Sequence, residues 1–72
     1  MSGLPILSGK EIIRALAKLG YREVRQRGSH IRLSHLSRRS VTVPDYKMVS
    51  RGLLRKILRD AELSSEAFSK LL

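Results

Sequence analysis

A hairpin signal in the middle of the chain most constrains its fold. In the stretch Arg27-Gly28-Ser29-His30, glycine takes the first of two positions between alternating segments, as a type II′ turn requires. A turn of this kind fixes the register of the strands on either side, because directly opposed residues share a face of the sheet. The sequence therefore predicts two antiparallel strands joined by Gly28 and Ser29.

The register of this hairpin sorts its side chains onto two faces. The expected pairs are Arg27 with His30, Gln26 with Ile31, Arg25 with Arg32, Val24 with Leu33 and Glu23 with Ser34. One face then carries Val24, Ile31 and Leu33 beside Gln26, and burying this apolar set leaves the other face open. The open face is predicted to present His30 among three arginines, which are Arg25, Arg27 and Arg32.

Helical signals precede the hairpin. Ser8 and Glu11 have the spacing of a capping box, and apolar residues then recur at helical intervals. Gly20 follows the last turn, where a left-handed residue commonly ends a helix. A first helix is expected from about Gly9 to Leu19.

The second half of the chain supplies a third strand and a second helix. Val41-Thr42-Val43 reads as a short strand stopped by Pro44, and Asp45 to Val49 reads as a loop. Ser50 is expected to cap a second helix, and a short helical turn begins at Ser64. The core is expected to contain Ile12, Leu16, Tyr21, Val24, Ile31, Leu33, Val41, Val43, Leu54, Ile57, Leu58 and Phe68. The prediction is a single α+β domain over residues 1–72, with order α-β-β-β-α and two helices on one face of a three-stranded antiparallel sheet.

Charge limits the choice of partners. The chain has 15 Lys and Arg against 6 Asp and Glu, a formal charge of +9, which favours a polyanion such as nucleic acid, an acidic protein or an anionic membrane. It has no Cys, so thiol chemistry and disulfides are excluded. No apolar run approaches the ~18 residues of a membrane span, and no signal peptide is recognised, so we expect a cytoplasmic protein that does not enter a membrane.

The open strand face is the first candidate site. His30 is a residue of the type most often used for acid–base catalysis, and it suits proton transfer on a phosphodiester, whereas the alternative is an ordinary polar residue on a solvated strand. Arg25, Arg27 and Arg32 can hold phosphate bidentately, although a run of arginines is also common on a solvated face. His35 faces with Ile31 and Leu33 by the same alternation, and we interpret it as structural.

The second helix carries another basic stripe, made of Arg51, Arg55 and Arg59 with Lys56 nearby. This stripe is a possible secondary contact for RNA or for a protein partner, and a role in solubility alone explains it equally well. Paired carboxylates, a glycine-rich phosphate loop and a Ser/His/Asp set are absent, which removes most enzyme classes. The roles of Tyr46 and Lys47 stay open.

Several segments together resemble the HicA (YcfA-like) toxin family over nearly the whole chain. They are Ser8-Gly9-Lys10-Glu11, Leu19-Gly20-Tyr21, Val24-Arg25-Gln26-Arg27-Gly28-Ser29-His30, Val41-Thr42-Val43-Pro44 and Leu53-Leu54-Arg55-Lys56-Ile57-Leu58. The resemblance implies a fold like that of double-stranded-RNA-binding domains and cleavage of mRNA during a stress response. It also implies a HicB-type antitoxin, and it assigns catalysis to His30, with Gly28 and Ser29 as the turn that presents it.

Two positions depart from the family pattern. Glu62 follows Ala61 where the family often has glycine, so the second helix is expected to continue past Ala61. The segment from Asp45 to Val49 does not align.

The residues and the resemblance lead to one main hypothesis. It is a metal-independent endoribonuclease without cofactors, in which His30 assists attack by an RNA 2′-hydroxyl while the arginines steady the phosphate. The chain is expected to be a monomer alone and to form a hetero-oligomer with its antitoxin. The alternative is a non-catalytic RNA-binding module of the double-stranded-RNA-binding type. A DNA-binding repressor ranks third, because no helix-turn-helix spacing is present.

Overall fold

A computed structural model describes residues 4–72, and its elements follow the predicted order. They are α1 (Gly9–Lys18), β1 (Arg22–Arg27), β2 (His30–Ser34), β3 (Val41–Pro44), α2 (Arg51–Asp60) and the short α3 (Ser65–Ser69). The strands form one antiparallel sheet in the order β1-β2-β3. The α+β prediction is confirmed. None of the helices in this described part of the chain is long and apolar enough to cross a membrane.

The helix starts follow the predicted capping chemistry. The Ser8 hydroxyl accepts a bond of 3.1 Å from the Glu11 amide, and a Glu11 carboxylate oxygen accepts one of 2.8 Å from the Ser8 amide. The bond from the Ser8 backbone, more than any other contact, lowers the pKa of Glu11 below its ordinary value. Ser50 caps α2 by accepting a bond of 3.1 Å from the Leu53 amide. Both helices therefore begin at residues fixed by local sequence.

One apolar core joins the helices to a single face of the sheet. Its members are Leu4, Ile12, Ala15, Leu16, Tyr21, Ile31, Leu33, Val41, Val43, Val49, Leu54, Ile57, Leu58, Ala61 and Phe68. The predicted core is confirmed except at Val24. Val49 comes from the predicted loop, and it is held by an isolated antiparallel bridge in which its amide donates to the Leu7 carbonyl at 2.7 Å. Leu4 and Val49 thus extend the core beyond the periodic segments.

The predicted turn is confirmed. Gly28 has a φ of +56°, and Ser29 is not among the residues with positive φ, as expected for a type II′ turn. The pairs Arg27 with His30, Gln26 with Ile31 and Arg25 with Arg32 are also those predicted. The hairpin register next to the turn was therefore set by the turn itself.

The register farther from the turn differs from the prediction at Val24. A bulge between Glu23 and Arg25 makes Glu23, not Val24, the partner of Leu33, and Arg22 the partner of Ser34. Val24 lines the open face and is 58% exposed, so its predicted burial is wrong. All six residues of β1 are exposed, so burial of their side chains does not favour one register over the other. Edge strands also often carry bulges.

The end of α2 corrects a second expectation. The helix stops at Asp60, and Glu62 adopts a φ of 57°, the left-handed conformation that glycine usually supplies. The Glu62 amide donates to the Arg59 carbonyl at 3.0 Å, and the Leu63 amide donates to the Leu58 carbonyl at 2.9 Å. These bonds complete a Schellman motif, and Leu63 packs partly against the core. The chain reverses here to pack α3, and this packing outweighs the steric cost of holding a glutamate in the left-handed conformation.

The start of α1 packs so closely on the end of β3 that its first residue has no room for a side chain. A Cβ atom on Gly9 would overlap the carbonyl of Pro44, and the Gly9 amide donates to the Tyr46 carbonyl at 2.8 Å. Gly52 of α2 has no atom within 4 Å of the same position. The two glycines therefore differ in the space around them, although both lie in the first turn of a helix.

We expect Gly9→Ala to destabilise the protein by about 1–3 kcal/mol, because the new methyl group forces α1 away from rigid backbone. Gly52→Ala is the matched control, and it should stabilise the protein by up to about 1 kcal/mol through helix propensity. Urea unfolding of the two variants measures both effects. Equal stability of the two variants would contradict the close approach of α1 and β3.

We expect Glu62→Gly to stabilise the protein by about 1 kcal/mol, because glycine adopts the left-handed conformation without the penalty of a side chain. A gain of this size raises the melting temperature by roughly 4–8 °C in a domain of this size. Glu62→Ala removes the same charge and keeps the backbone penalty, so it should give no gain. A rise with alanine as well would show that charge, not backbone conformation, limits stability here.

Candidate functional site

The open face of the sheet contains a shallow cleft of about 170 Å³. Its lining residues are Arg25, Arg27, His30, Arg32 and Thr42. The three arginines and the histidine that the hairpin register predicted therefore meet at one place. Gly28 and Ser29 lie beside the cleft, in the turn, and they do not line it.

Alternation along β2 positions the site. Ile31 and Leu33 are buried under the helices, whereas His30 and Arg32 are exposed on the opposite face. Pairing with β1 then sets Arg27 opposite His30 and Arg25 opposite Arg32. Directly opposed side chains in an antiparallel pair have Cβ atoms about 4.5–5.5 Å apart. The four side chains thus form two adjacent cross-strand pairs on one surface.

The turn that precedes His30 is braced on both sides. The Gln26 side-chain amide donates a bond of 2.9 Å to the Gly28 carbonyl, and the Asp45 amide donates one of 2.6 Å to the Ser29 carbonyl. The second bond ties the turn to the chain that leaves β3. His30 is therefore exposed while the backbone next to it is held in place.

Thr42 belongs to the cleft, although the sequence reasoning did not select it. An Arg32 guanidinium N–H donates a bond of 3.0 Å to the Thr42 hydroxyl, and the two residues are cross-strand partners. Burial of Val41 and Val43 implies that Thr42 points outward, and that signal was present in the sequence. The missing information was the register between β2 and β3, which no tight turn fixes.

The electrostatics of the cleft favour an anion. Three guanidinium groups line it, and no carboxylate is among its lining residues in the described chain. Guanidinium donors match the geometry of phosphate oxygens, and they stay protonated at any physiological pH. An exposed imidazole among them can exchange a proton with a bound phosphate ester. The cleft thus brings together groups suited to binding an anion and one side chain suited to proton transfer.

His35 has a structural role, as predicted. Its Nε2 donates to the Leu19 carbonyl at 2.8 Å, and its Nδ1 accepts a bond of 3.0 Å from the Ser37 amide. Its ring also meets Tyr21 edge to face at 4.9 Å between centroids. Burial raises the pKa of the Tyr21 hydroxyl, which donates to the Arg39 carbonyl at 2.7 Å. Both ring nitrogens of His35 are occupied, so this ring is not available for catalysis.

The basic residues of α2 do not line the cleft. Arg51 donates through Nε to the Leu4 carbonyl, and Lys56 forms an ion pair of 3.2 Å with Asp60. Arg55 and Arg59 are exposed. Two residues of the stripe therefore already bond to other residues of this chain. The stripe lies in the helical layer, apart from the open face of the sheet.

Tyr46 and Lys47, whose roles the sequence left open, are exposed and line a separate hollow together with Ser8, Lys10 and Asp45.

The fold and the cleft define a small basic α+β domain with helices on one face of its sheet and an arginine-lined cleft on the other. Residues 9–63, more than half of the chain, match the family described as HicA toxin of bacterial toxin-antitoxin. The chain belongs to this family, which makes it the toxin of a toxin-antitoxin system and implies an antitoxin partner. No curated protein matches the chain.

Proposed function

We propose that this toxin is an endoribonuclease that cleaves mRNA in the cytoplasm and is neutralised by a HicB-type antitoxin. The observation that carries the proposal is the exposed His30 in a cleft lined by Arg25, Arg27 and Arg32. Membership of the toxin family supports it independently of the cleft. RNA supplies both the phosphate anion that the arginines bind and, in the neighbouring 2′-hydroxyl, the proton that the histidine takes.

The proposed reaction is attack of an RNA 2′-hydroxyl on its own 3′-phosphorus. His30 accepts the proton of the 2′-hydroxyl as the new oxygen–phosphorus bond forms. The three arginines stabilise the negative charge that develops on the phosphate oxygens. The bond to the 5′-oxygen breaks, and that oxygen takes a proton from water. The expected products carry a 2′,3′-cyclic phosphate and a 5′-hydroxyl.

No step of this reaction requires a metal ion. A divalent cation prefers oxygen ligands such as carboxylates, whereas the residues lining this cleft offer it one threonine hydroxyl and three positive charges. The donor set thus suits the phosphate itself. Cleavage is accordingly expected to continue in the presence of a chelator.

A non-catalytic RNA-binding module would use the same basic surface. The two functions differ in their dependence on His30, because the arginines supply phosphate contacts with or without it. Incubation of the pure protein with single-stranded RNA and a chelator separates them. Intact RNA that nevertheless binds tightly would favour the module.

We expect His30→Ala to reduce RNA cleavage by roughly 10²–10⁴ in rate, because proton transfer is lost. Stability should change by no more than about 0.5 kcal/mol, since the side chain is exposed. RNA affinity and its dependence on salt should stay close to those of the parent protein. Single-turnover cleavage, thermal unfolding and salt-dependent binding measure the three quantities separately.

His30→Gln is the matched control for side-chain size and polarity, and it should lose cleavage to the same extent. Full cleavage by either variant would refute the catalytic assignment. A collapse of the melting temperature would instead identify His30 as a structural residue.

Substitution of Thr42 tests whether the position of the Arg32 guanidinium matters for cleavage. We expect Thr42→Val to slow cleavage about tenfold, because the guanidinium loses the acceptor that aims it into the cleft. Thr42→Ser keeps the hydroxyl, and it should retain nearly full activity. The loss should appear in kcat more than in KM if Arg32 acts mainly on the transition state. Equal cleavage rates for Thr42→Val and Thr42→Ser would show that Thr42 has no role in the site.

A further inference from the structure

The first strand of the sheet is exposed along its whole length. β1 lies at an edge of the sheet, all six of its residues are exposed, and it contributes no residue to the core of the described chain. The turn and the pairing with β2 attach it to the rest of the protein. An edge strand of this kind presents unpaired backbone groups to other chains.

The hairpin geometry identifies which backbone groups are free. In a two-residue hairpin, the residues that flank the turn exchange hydrogen bonds, and these residues are Arg27 and His30. The next pair, Gln26 with Ile31, is then of the non-hydrogen-bonded type. The backbone N–H and C=O of Gln26 therefore point away from β2, toward the open edge. This residue is the natural first contact for an added strand.

Charge determines which strand fits this edge. β1 carries Arg22, Arg25 and Arg27 against one acidic residue, Glu23. A second copy of this chain would set arginines against arginines, and like charges directly opposite each other destabilise a strand pair. A strand with carboxylates at alternate positions would instead meet Arg25 and Arg27 on the same face.

The other side of β1 carries mixed charge. A groove of about 260 Å³ runs between α1 and the hairpin, and Ile13 and Ile31 contribute to its lining. Lys10, Arg14 and Glu23 also line this groove, and Lys10 forms an ion pair of 3.6 Å with Asp45. The attraction for an acidic strand therefore comes mainly from the arginines of the open face.

We propose that the antitoxin adds a β-strand to the free edge of β1, with carboxylate side chains opposite Arg25 and Arg27. This inference rests on the proposed function, in which the chain is a toxin held inactive by an antitoxin. Backbone bonds to Gln26 supply attachment, and the carboxylates occupy the same guanidinium groups that line the cleft. Inhibition then follows from competition with the RNA phosphate for those arginines.

Hydrogen exchange at the Gln26 amide tests the added strand directly. The probe is the purified complex of this toxin with the antitoxin that neutralises it. The Gln26 amide should exchange at least about tenfold more slowly in the complex than in the free toxin, because it becomes hydrogen-bonded. A single-stranded RNA oligonucleotide bound to the His30→Gln variant should leave this amide unprotected.

A pair of variants tests the same bond energetically. Gln26→Pro removes the outward N–H and leaves the bonds to β2 in place, as is common for proline on an edge strand. It should weaken antitoxin binding about tenfold or more relative to Gln26→Ala, while its RNA cleavage stays within about threefold of the rate of that alanine variant, which lacks the same side chain. Gln26→Ala removes the same side chain and keeps the N–H, so it should bind the antitoxin normally.

The outcomes separate this inference from the proposed function. A tight complex with no protection at Gln26 and normal binding by Gln26→Pro would overturn the added strand and leave the nuclease proposal intact. Protection by RNA instead of by the antitoxin would assign the edge to RNA and also overturn it. Absence of RNA cleavage by the free parent protein would refute the nuclease proposal alone, because the test at Gln26 does not depend on cleavage. If Gln26→Pro fails to fold, hydrogen exchange at the Gln26 amide of the unaltered protein still decides whether the antitoxin adds a strand there.

Discussion

The burial of alternate side chains on the central strand is the constraint on which the rest of this structure depends. Ile31 and Leu33 of β2 are buried against the helices, and their neighbours are thereby directed to the other face. The tight turn before β2 then sets which residues of β1 stand beside His30. A shift of the register by one residue would bury His30 and Arg32 and expose the core side chains. Core and site are therefore two consequences of one alternation.

The cleft concentrates charge that the fold does not neutralise. Arg25 and Arg27 form no ion pair in the described chain, and the one bond made by Arg32 in the cleft is to the neutral hydroxyl of Thr42. Such an arrangement contributes little to folding, because like charges on one surface repel each other. It is suited to an external anion, whose charge makes the cluster favourable. The ion pairs of Lys10 with Asp45 and of Lys56 with Asp60 lie elsewhere on the surface.

The two edge strands of the sheet differ in how far the rest of the protein covers them. β3 ends at Pro44, and the chain that follows it packs against the start of α1 through the amide of Gly9. β1 has no such cover, and its bulge at Val24 adds an exposed apolar side chain to the open face. The apolar core is thus built from β2, β3, the helices and the segments next to them, and β1 contributes no residue to it in the described part of the chain.

Local signals in the sequence determined much of this protein. The capping box at Ser8, the cap at Ser50 and the turn at Gly28 each depend on atoms within a few residues of one another, so spacing alone predicts them. The cluster around His30 followed from the same turn, because strand pairing is regular close to a tight turn. These features needed no knowledge of distant contacts.

The tertiary structure alone decided four other features. Val24 is exposed because no helix covers β1, and Thr42 reaches Arg32 through a register that no tight turn sets. Gly9 is required by the approach of Pro44, which is distant in sequence. Glu62 takes a left-handed conformation because the chain must reverse to pack α3. Each depends on residues brought together only by folding, and a sequence pattern carries no record of such contacts.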